Sequence, residues 1–457
     1  MSTPPLLLVH GYSSGPGAFA TWRTILTERG RDPARLVDVH YESLVHAVTL
    51  KDVGEAFAHA IAADPRLDPD EPFDALVHST GMLVVRAWMA LDPARRRRRL
   101  RYLVALAPAT FGSPLAHKGR GYVGKLLVGN RDLGPDFLAV GDEVLDGLEL
   151  GSRFTWDLAH HDLVGPRAEA LRDLPGPRTF VLCGIEGFRG LKGLANEPGT
   201  DGTVRLAGAA LNTRKIALDL TLDVDAGREA ERTVTAPWSV PDAPLIALAG
   251  LNHGTILSAP TAKAVDLVGR ALEVADDADH AAWHADATAH GARVLQQAQR
   301  RTRPLGRWQQ LVVRVIDERG DAVPDYYLDL VHRAPGARRW RVIEGVRMHV
   351  HPYGRDPSLR CFHLDLDSFE LPTGTTLGLR LLAHTGTSRV RYRGYASASL
   401  VMHASVESAA ESSAWTAALD LSRLARIELF YPFTTTLVEL TIDRDPVHDA
   451  VVRLVGR

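Results

Sequence analysis

Three residue types that together can cleave esters follow three different apolar stretches of this sequence. Ser79 comes after FDALVH, Asp201 lies downstream of RTFVLCG, and His253 comes after PLIALAG. A serine hydroxyl becomes a nucleophile when a histidine takes its proton, and a carboxylate holds that histidine in the required tautomer. These residues predict acyl transfer through a covalent intermediate on Ser79.

The segment around Ser79 has the pattern of a nucleophile elbow. Residues 77–81 fit Gly-x-Ser-x-Gly except at the first position, which is Val77. A buried strand precedes the serine and a helix begins at about Thr80, which is the setting that lifts a serine oxygen above a sheet. Gly81 would let the helix fold closely over the strand. Taken alone, the pentapeptide also fits an ordinary serine in a strand-to-helix loop.

A glycine-rich loop after the first apolar stretch, LLLVHGYSSGPG, predicts an oxyanion hole. The oxyanion of acyl transfer is bound by two backbone N–H groups, one of them on the residue after the nucleophile. We expect these donors to be Tyr12 and Thr80, and we expect His10 and Gly11 to contact the substrate. Because no Lys-Ser or Lys-Thr pair follows the loop, a phosphate-binding P-loop is disfavoured.

The elements that must position these loops have the pattern of a parallel sheet. Between residues 1 and 273, short apolar stretches alternate with amphipathic stretches of helical spacing. The apolar stretches are residues 6–10, 73–78, 101–108, 178–184 and 244–250. Such alternation predicts an α/β fold with helices on both faces of the sheet. Ligand-facing loops of these folds gather at the carboxyl ends of the strands.

Residues 111–175 depart from this alternation and predict a helical insert. We expect the insert to form a lid over the active site, because long loops inside compact domains are commonly lids or binding elements. In that role Phe154 and Trp156 would bind the acyl chain of the substrate. A rigid structural subdomain is the alternative. Other apolar residues of the insert include Leu126, Leu127, Val128, Phe137, Leu138, Leu145, Leu148 and Leu158.

The remainder of the chain predicts a connector and a second domain. Residues 274–306 form a polar helical pattern followed by a linker. Strand-like alternation with frequent turn residues returns from residue 307 to residue 457. This pattern predicts an all-β, sandwich-like C-terminal domain.

The composition narrows the class of protein and its partners. The 457 residues are 45% hydrophobic and 24% charged, with a formal net charge of −2. These values are typical of a soluble globular protein and disfavour nucleic acid as a partner. The two cysteines, Cys183 and Cys361, predict no disulfide framework.

The N-terminus lacks a signal-peptide pattern, and no window of the sequence predicts a membrane span. We therefore expect a cytoplasmic protein, with export by a route that needs no signal peptide left open. The oligomeric state is not predicted.

Other groups of polar residues have simpler interpretations. His160, His161 and Asp162 could suggest a metal, but neighbouring residues of a helix point about 100° apart, which favours a solvated or capping role. Asp162 is also the second choice for the catalytic acid, after Asp201. The arginines at 95–99 suit a solvated helix end, with a peripheral contact to anionic lipid head groups as the alternative. We expect His78 to point away from the substrate.

These motifs carry a resemblance to a known family. Residues 1 to about 270 resemble the α/β-hydrolase lipases and esterases, in which serine, acid and histidine follow in this order. LVHGYSSGPGAF, VHSTGMLVVR, TDGTVRLAGA and NHGTILS are similar to the oxyanion, elbow, acid and histidine motifs of the family. APATFGSPLA and LGSRFTWDLAHHDL resemble the insert of lecithin:cholesterol acyltransferase-like lipases and bacterial phospholipase relatives. Val77, and Met82 where a second glycine is common, depart from the pattern.

The resemblance implies a serine hydrolase that cleaves the carboxylic esters of lipids or small molecules, with no cofactor and no metal. An acyltransferase on the same scaffold is an alternative, because transfer and hydrolysis use the same residues. A non-catalytic module that binds lipid or protein is another.

Overall fold

The chain divides into two compact units in a computed structural model. The first comprises Met1–Arg214, Pro237–Arg307 and Phe433–Thr435, and the second comprises Lys215–Ala236, Trp308–Pro432 and Thr436–Arg457. The structure describes residues 3–12, 14–41, 45–69, 71–116, 142–168, 176–190, 193, 196–221, 233–236, 243–337, 339–368, 376–393, 401–402, 415–420, 430–447 and 451–454.

The helices and strands of both units are numbered in chain order. The helices are α1 (Ala20–Glu28), α2 (Leu50–Ala63), α3 (Gly81–Leu91), α4 (Pro93–Arg99), α5 (Asp142–Leu148), α6 (Arg153–Asp162), α7 (Leu206–Ala209), α8 (Thr255–Ser258), α9 (Ala262–Ala271) and α10 (Asp277–Gln299). The strands are β1 (Leu6–Val9), β2 (Leu36–Val39), β3 (Phe73–His78), β4 (Leu100–Leu106), β5 (Arg178–Gly184), β6 (Thr213–Asp219), β7 (Thr233–Ala236), β8 (Leu245–Leu248), β9 (Trp308–Asp317), β10 (Tyr326–Arg333), β11 (Arg341–Val342), β12 (Met348–Pro352), β13 (Leu359–Asp365), β14 (Thr376–Ala383), β15 (Val390–Arg393), β16 (Val401–Met402), β17 (Trp415–Asp420) and β18 (Thr435–Pro446).

The first unit is built on a parallel sheet. Its strands lie in the order β2-β1-β3-β4-β5-β8, and each neighbouring pair is parallel. Every residue of β1 and β3 is buried, as expected for strands covered on both faces. From β1, the next strand along the chain, β2, is added on one side of the sheet. From β3 to β8, the strands are added on the opposite side. Because crossovers are right-handed, this reversal places helices on opposite faces and opens a crevice at the carboxyl ends of β1 and β3.

Helix α3 is the element that follows the elbow, and it is packed tightly on its neighbours. Its Trp88 ring meets Phe57 of α2 edge-on, with ring centroids 5.9 Å apart. A Cβ atom added to Gly54 of α2 would lie 2.9 Å from the Cβ of Ala87, so only glycine allows the two helices to approach this closely. The packing fixes the second half of the helix that follows the elbow.

Helix α10 belongs to the first unit. Trp283 is buried and its Nε1 donates a hydrogen bond to the main-chain oxygen of Leu267 at 2.9 Å. The same indole meets the Phe180 ring edge-on at 4.6 Å. Further along α10, a Cβ added to Gly291 would lie 3.1 Å from the backbone nitrogen of Ala247 in β8. Residues predicted to be a polar connector therefore carry an apolar face that packs on the sheet.

The second unit is all-β. Within the part of the chain that the structure describes, one sheet has the order β11-β10-β14-β17-β16 and another the order β12-β13-β9-β18-β6-β7, with β15 on β18. A shared core contains Val315, Tyr326, Leu364, Leu381 and Leu440, all at most 1% exposed. The predicted fold class, a parallel α/β sheet followed by an all-β domain, is confirmed.

The division of the chain differs from the predicted one mainly in two long segments, and Phe433–Thr435, expected in the second domain, also lies in the first unit. Residues 274–306 were expected to form a connector, and they lie in the first unit. Lys215–Ala236 was expected in the catalytic domain, and it lies in the second unit because β6 and β7 pair with each other and β6 is the neighbour of β18. Among the described residues, no helix combines the length and the apolar character needed to cross a membrane.

Candidate active site

Ser79 lies on a sharp turn between β3 and α3. Its φ is 53°, in the left-handed region, which costs a residue with a Cβ roughly 1–2 kcal/mol. The surroundings hold this conformation: the Ser79 N–H donates to Leu106 O at 3.1 Å, and its carbonyl accepts from Ala109 N at 3.1 Å. Val77 fits into β3 between Val9 and Ala105 of the neighbouring strands. The elbow therefore forms despite the bulky residue at its first position.

Two glycines allow neighbouring backbone to reach the turn. A Cβ added to Gly81 would lie 2.4 Å from the carbonyl oxygen of Val9, which excludes any other residue at the start of α3. A Cβ added to Gly11 would lie 2.9 Å from the Cβ and 3.4 Å from the Oγ of Ser79. The loop after β1 therefore passes directly against the nucleophile candidate.

The structure brings Ser79, His253 and Asp201 together. His253 Nε2 lies 3.1 Å from Ser79 Oγ, and His253 Nδ1 lies 2.8 Å from Asp201 Oδ2. Ser79 is 8% exposed, His253 is 9% exposed and Asp201 is fully buried. These distances are within hydrogen-bond reach at both links, as a serine–base–acid relay requires.

The Asp201 carboxylate is also bound through Oδ1, the oxygen that does not contact His253. Its Oδ1 accepts hydrogen bonds from the backbone N–H groups of Thr203 and Val204, both at 2.9 Å. Cys183 Sγ lies 3.7 Å from Oδ2, and burial, together with this carboxylate, raises the pKa of the Cys183 thiol well above its usual value. The thiol thus keeps its proton and can donate weakly to Asp201.

The loop after β4 supports the loop that carries Asp201. Ser113 Oγ donates to the main-chain oxygen of Thr203 at 2.6 Å, and Thr110 Oγ1 donates to Ala209 O at 2.8 Å. Phe111 N–H donates to Gly208 O at 2.9 Å. Although no carboxylate follows β4, its loop positions the acid candidate through these three bonds.

The predicted oxyanion donors, Tyr12 and Thr80, meet beside Ser79. The Tyr12 N–H donates to Thr80 Oγ1 at 3.3 Å. Thr80 has helical backbone angles and precedes the first turn of α3, where backbone N–H groups have no partner within the helix. The two predicted donors therefore lie side by side next to the nucleophile candidate, and their role as an oxyanion hole stays a prediction.

His10 contacts its own loop in this structure. Its Nδ1 lies 2.8 Å from Gly11 O, its ring stacks on Tyr41 at 4.6 Å, and the Tyr41 hydroxyl donates to His10 O at 3.0 Å. Burial lowers the pKa of His10, so the ring is neutral near pH 7. These contacts brace the loop, and contact of His10 or Gly11 with substrate stays a prediction.

His78 lies against His253, a relationship that the sequence did not reveal. Its Nε2 lies 3.0 Å from the main-chain oxygen of His253, and the two ring centroids are 4.6 Å apart. His78 was expected to point away from the substrate, and strand alternation does not show which distant loop its side chain meets. Spacing alone therefore could not identify this residue.

Helix α6 of the insert is anchored to α3 by an ion pair. Arg86 makes two bonds to the carboxylate of Asp162, at 2.8 and 2.7 Å, and a third to Thr110 O at 3.1 Å. Because its carboxylate is bound to Arg86, Asp162 is not the partner of His253.

His160, on the same helix, bonds through Nδ1 to Trp156 O at 2.8 Å. The described residues contain no group of three or more His, Cys, Asp or Glu side chains that could hold a metal ion.

The two predicted acyl-chain residues of the insert lie in different surroundings. Trp156 is 3% exposed and packs on the His160 ring at 4.7 Å. Phe154 is half-buried and lines a cavity of about 390 Å³ between α2, α3 and α6, whose lining does not include Ser79, Asp201 or His253. Leu126, Leu127, Val128, Phe137 and Leu138 lie outside the described residues. The role of the insert as a lid therefore stays a prediction.

The comparisons with known proteins decide the fold. No protein-family model matches the chain, and no curated protein matches its sequence. Phospholipase PlaB from Legionella pneumophila, a solved structure, has a TM-score of 0.77 and 22% identity, covering 100% of this chain and 96% of that one. PlaB in complex with thio-NAD has a TM-score of 0.75 and 22% identity, covering 99% and 96%. The chain has the α/β-hydrolase fold. Both units take part in the likeness, since the matches span nearly the whole of both chains.

Proposed function

We propose that this α/β-hydrolase cleaves carboxylic esters of lipids through an acyl-enzyme on Ser79. The observation that carries the proposal is the continuous chain of contacts from Ser79 Oγ to His253 Nε2 at 3.1 Å and from His253 Nδ1 to Asp201 Oδ2 at 2.8 Å. It lies on an elbow at the carboxyl edge of the sheet, where open α/β folds bind their ligands.

In the acylation step, His253 Nε2 takes the proton of Ser79 Oγ while that oxygen attacks the ester carbonyl carbon. The carboxylate of Asp201 holds the Nδ1 proton of His253 and stabilises the imidazolium that forms. The backbone N–H groups of Tyr12 and Thr80 bind the oxyanion. The Tyr12 bond to Thr80 Oγ1 is long, at 3.3 Å, so an anionic oxygen can replace it as the stronger acceptor.

The tetrahedral intermediate collapses when His253 gives its proton to the leaving alcohol oxygen. Water then enters, His253 takes one of its protons, and the hydroxide equivalent attacks the acyl carbon. A second collapse returns the proton to Ser79 Oγ and releases the carboxylic acid. Losing one oxyanion donor from such a site costs about 10²–10³ in rate.

The comparisons support lipids as the substrate class, since the two PlaB structures that match over nearly their whole length are named phospholipases. A lipid acyl chain bound near Ser79 would gain about 25 cal/mol for each Å² of apolar surface removed from water.

The experiment that tests the proposal combines a probe with a substrate panel. A fluorophosphonate should label the wild-type chain at Ser79 and should not label Ser79→Ala. p-Nitrophenyl esters, triglycerides and phospholipids should be hydrolysed by the wild type and left intact by Ser79→Ala. The matched control is Ser388→Ala, which removes the hydroxyl of an exposed serine in the second unit and leaves the nucleophile in place.

Each outcome has a distinct meaning. A chain that neither reacts with the probe nor hydrolyses any ester would be a binding module on the same scaffold. Hydrolysis that persists in Ser79→Ala would place the nucleophile elsewhere. Acyl transfer to an added alcohol in preference to water would identify an acyltransferase that uses the same residues.

A further inference from the structure

His78 precedes the nucleophile candidate in the chain and packs against the base candidate. It is the last residue of β3, immediately before Ser79, and its side chain reaches across to the loop of His253. Its Nε2 lies 3.0 Å from the main-chain oxygen of His253. Because a carbonyl oxygen only accepts, Nε2 carries the proton in this bond.

The other ring nitrogen of His78 faces a second part of the site. Nδ1 is buried and has no hydrogen-bond partner among the described residues. A Cβ added to Gly11 would lie 3.2 Å from this nitrogen. The ring therefore fills the space between the loop of Gly11 and the ring of His253, whose centroid is 4.6 Å away.

The surroundings keep this ring uncharged. Burial lowers the pKa of His78 well below its usual value, and His253 and His10 lower it further. A proton on Nδ1 would be buried without an acceptor. It would also oppose the positive charge that His253 acquires during acylation. A neutral ring supports His253 without this cost.

His253 is thereby held at three points of contact. Its N–H donates to Asp201 O at 3.0 Å, its Nδ1 bonds to Asp201 Oδ2 at 2.8 Å, and its carbonyl accepts from His78. The first two contacts fix the base relative to the acid. The third fixes it relative to the strand that carries Ser79, and so controls the distance from Nε2 to Ser79 Oγ.

We propose that His78 is a positioning residue, which holds His253 in line with Ser79 through the Nε2–H bond to the His253 carbonyl. The inference rests on the proposed function for its kinetic consequence, but the bond itself does not depend on any activity. A displacement of about 1 Å in a base can cost on the order of 100-fold in rate.

The test compares His78→Met with His78→Gln, because these side chains have similar length and only glutamine can donate to the His253 carbonyl. His78→Met should lower kcat for a p-nitrophenyl ester about 10–100-fold with KM unchanged, and His78→Gln should recover most of the loss. Circular dichroism melting of both variants checks that they are folded. Histidine ¹⁵N chemical shifts of the wild type should show His78 protonated at Nε2 and bare at Nδ1.

The proposal is overturned if folded Met and Gln variants have equal kcat, or if the nitrogen shifts place the His78 proton on Nδ1. Should either variant fail to fold, the shifts of the wild-type protein still decide whether the Nε2 bond exists. Failure of the proposed function is recognised separately, by a wild type that does not react with fluorophosphonate or a Ser79→Ala variant that keeps its activity.

Discussion

Asp201 and His253 are joined twice, once through their side chains and once through their backbones. The side-chain bond runs from His253 Nδ1 to Asp201 Oδ2 at 2.8 Å, and the backbone bond runs from His253 N–H to Asp201 O at 3.0 Å. The second bond does not depend on the carboxylate. The geometry of the pair should therefore survive a change of the Asp201 side chain.

The first prediction follows from this double link. In Asp201→Asn, Oδ1 should keep its bonds to Thr203 N and Val204 N, which turns the amide NH₂ toward His253 Nδ1. That donor forces the wrong tautomer on His253, so kcat should fall about 10⁴-fold with little change in melting temperature. Asp157→Asn, at an exposed carboxylate of α6, is the matched control and should retain its activity. A near-normal rate for Asp201→Asn would remove Asp201 from the proposed mechanism.

A second prediction concerns the loop beside the nucleophile. Gly11→Ala places a Cβ 2.9 Å from Ser79 Cβ, so the loop or the serine must shift. We expect the rate of fluorophosphonate labelling to fall on the order of 100-fold. Gly15→Ala in the same loop is the control, since its added Cβ meets nothing within 4 Å and its φ of −120° suits alanine. Equal rates for the two variants would mean that the loop adapts freely.

A third prediction compares two ion pairs of α6. Arg86→Met should lower the free energy of unfolding by about 3–5 kcal/mol, because it leaves the carboxylate of Asp162 without its buried partner. Arg153→Met removes the partner of Asp157, whose side chain is 47% exposed, and should cost under about 1 kcal/mol. Urea unfolding measures both. Similar losses in the two variants would contradict the assignment of Arg86 as the anchor of the insert.

A fourth prediction concerns the pH dependence of stability. The pKa of His78 is lowered from its usual value of 6.5 in the folded chain, mainly by burial. Below pH 6.5 the unfolded chain therefore binds a proton that the folded chain does not, so stability falls as pH falls. His10 and His253 are the other titratable groups that face this ring. Both remain in place when only His78 is substituted.

His78→Gln removes this share of the pH dependence. Between pH 7 and pH 5, its free energy of unfolding should fall less steeply than that of the wild type, by up to about 1.4 kcal/mol per pH unit. Urea unfolding at several pH values gives the slope. His59→Gln, at an exposed position of α2, should keep the wild-type slope. A His78→Gln slope equal to that of the wild type would mean that His78 binds its proton equally well in the folded and unfolded chains.

The chain order of Ser79, Asp201 and His253 could be predicted from the sequence, because each of them follows a strand with a strong local pattern. Ser79 comes directly after a short apolar run, His253 follows another by a few residues, and Asp201 lies in a loop with an Asp-Gly turn. Their meeting at one edge then followed from the parallel arrangement of the strands. The left-handed φ of Ser79 could not be read from a pentapeptide that begins with valine, since it is imposed by Leu106 and Ala109 of another element.

The missed features depend on contacts between distant parts of the chain. β2 was not predicted, because Leu36–Val39 is a four-residue strand that includes Asp38 and lies at the edge of its sheet. The roles of His78 and Arg86 required knowledge of the loop at His253 and of the position of Asp162. Residues 215–236 look like part of the α/β pattern until the pairing of β6 with its partners in the second unit is known.

The position of β6 in the second unit has a consequence for the synthesis of this chain on the ribosome. β6 ends at Asp219, whereas its neighbour β18 ends at Pro446. At ribosomal rates, the second strand appears on the order of 10–40 s after the first. During that interval β6 has apolar alternate residues and an open edge, which is a template for pairing with another chain. Slow stretches of translation after residue 219 would therefore lengthen the period in which the nascent protein depends on chaperones.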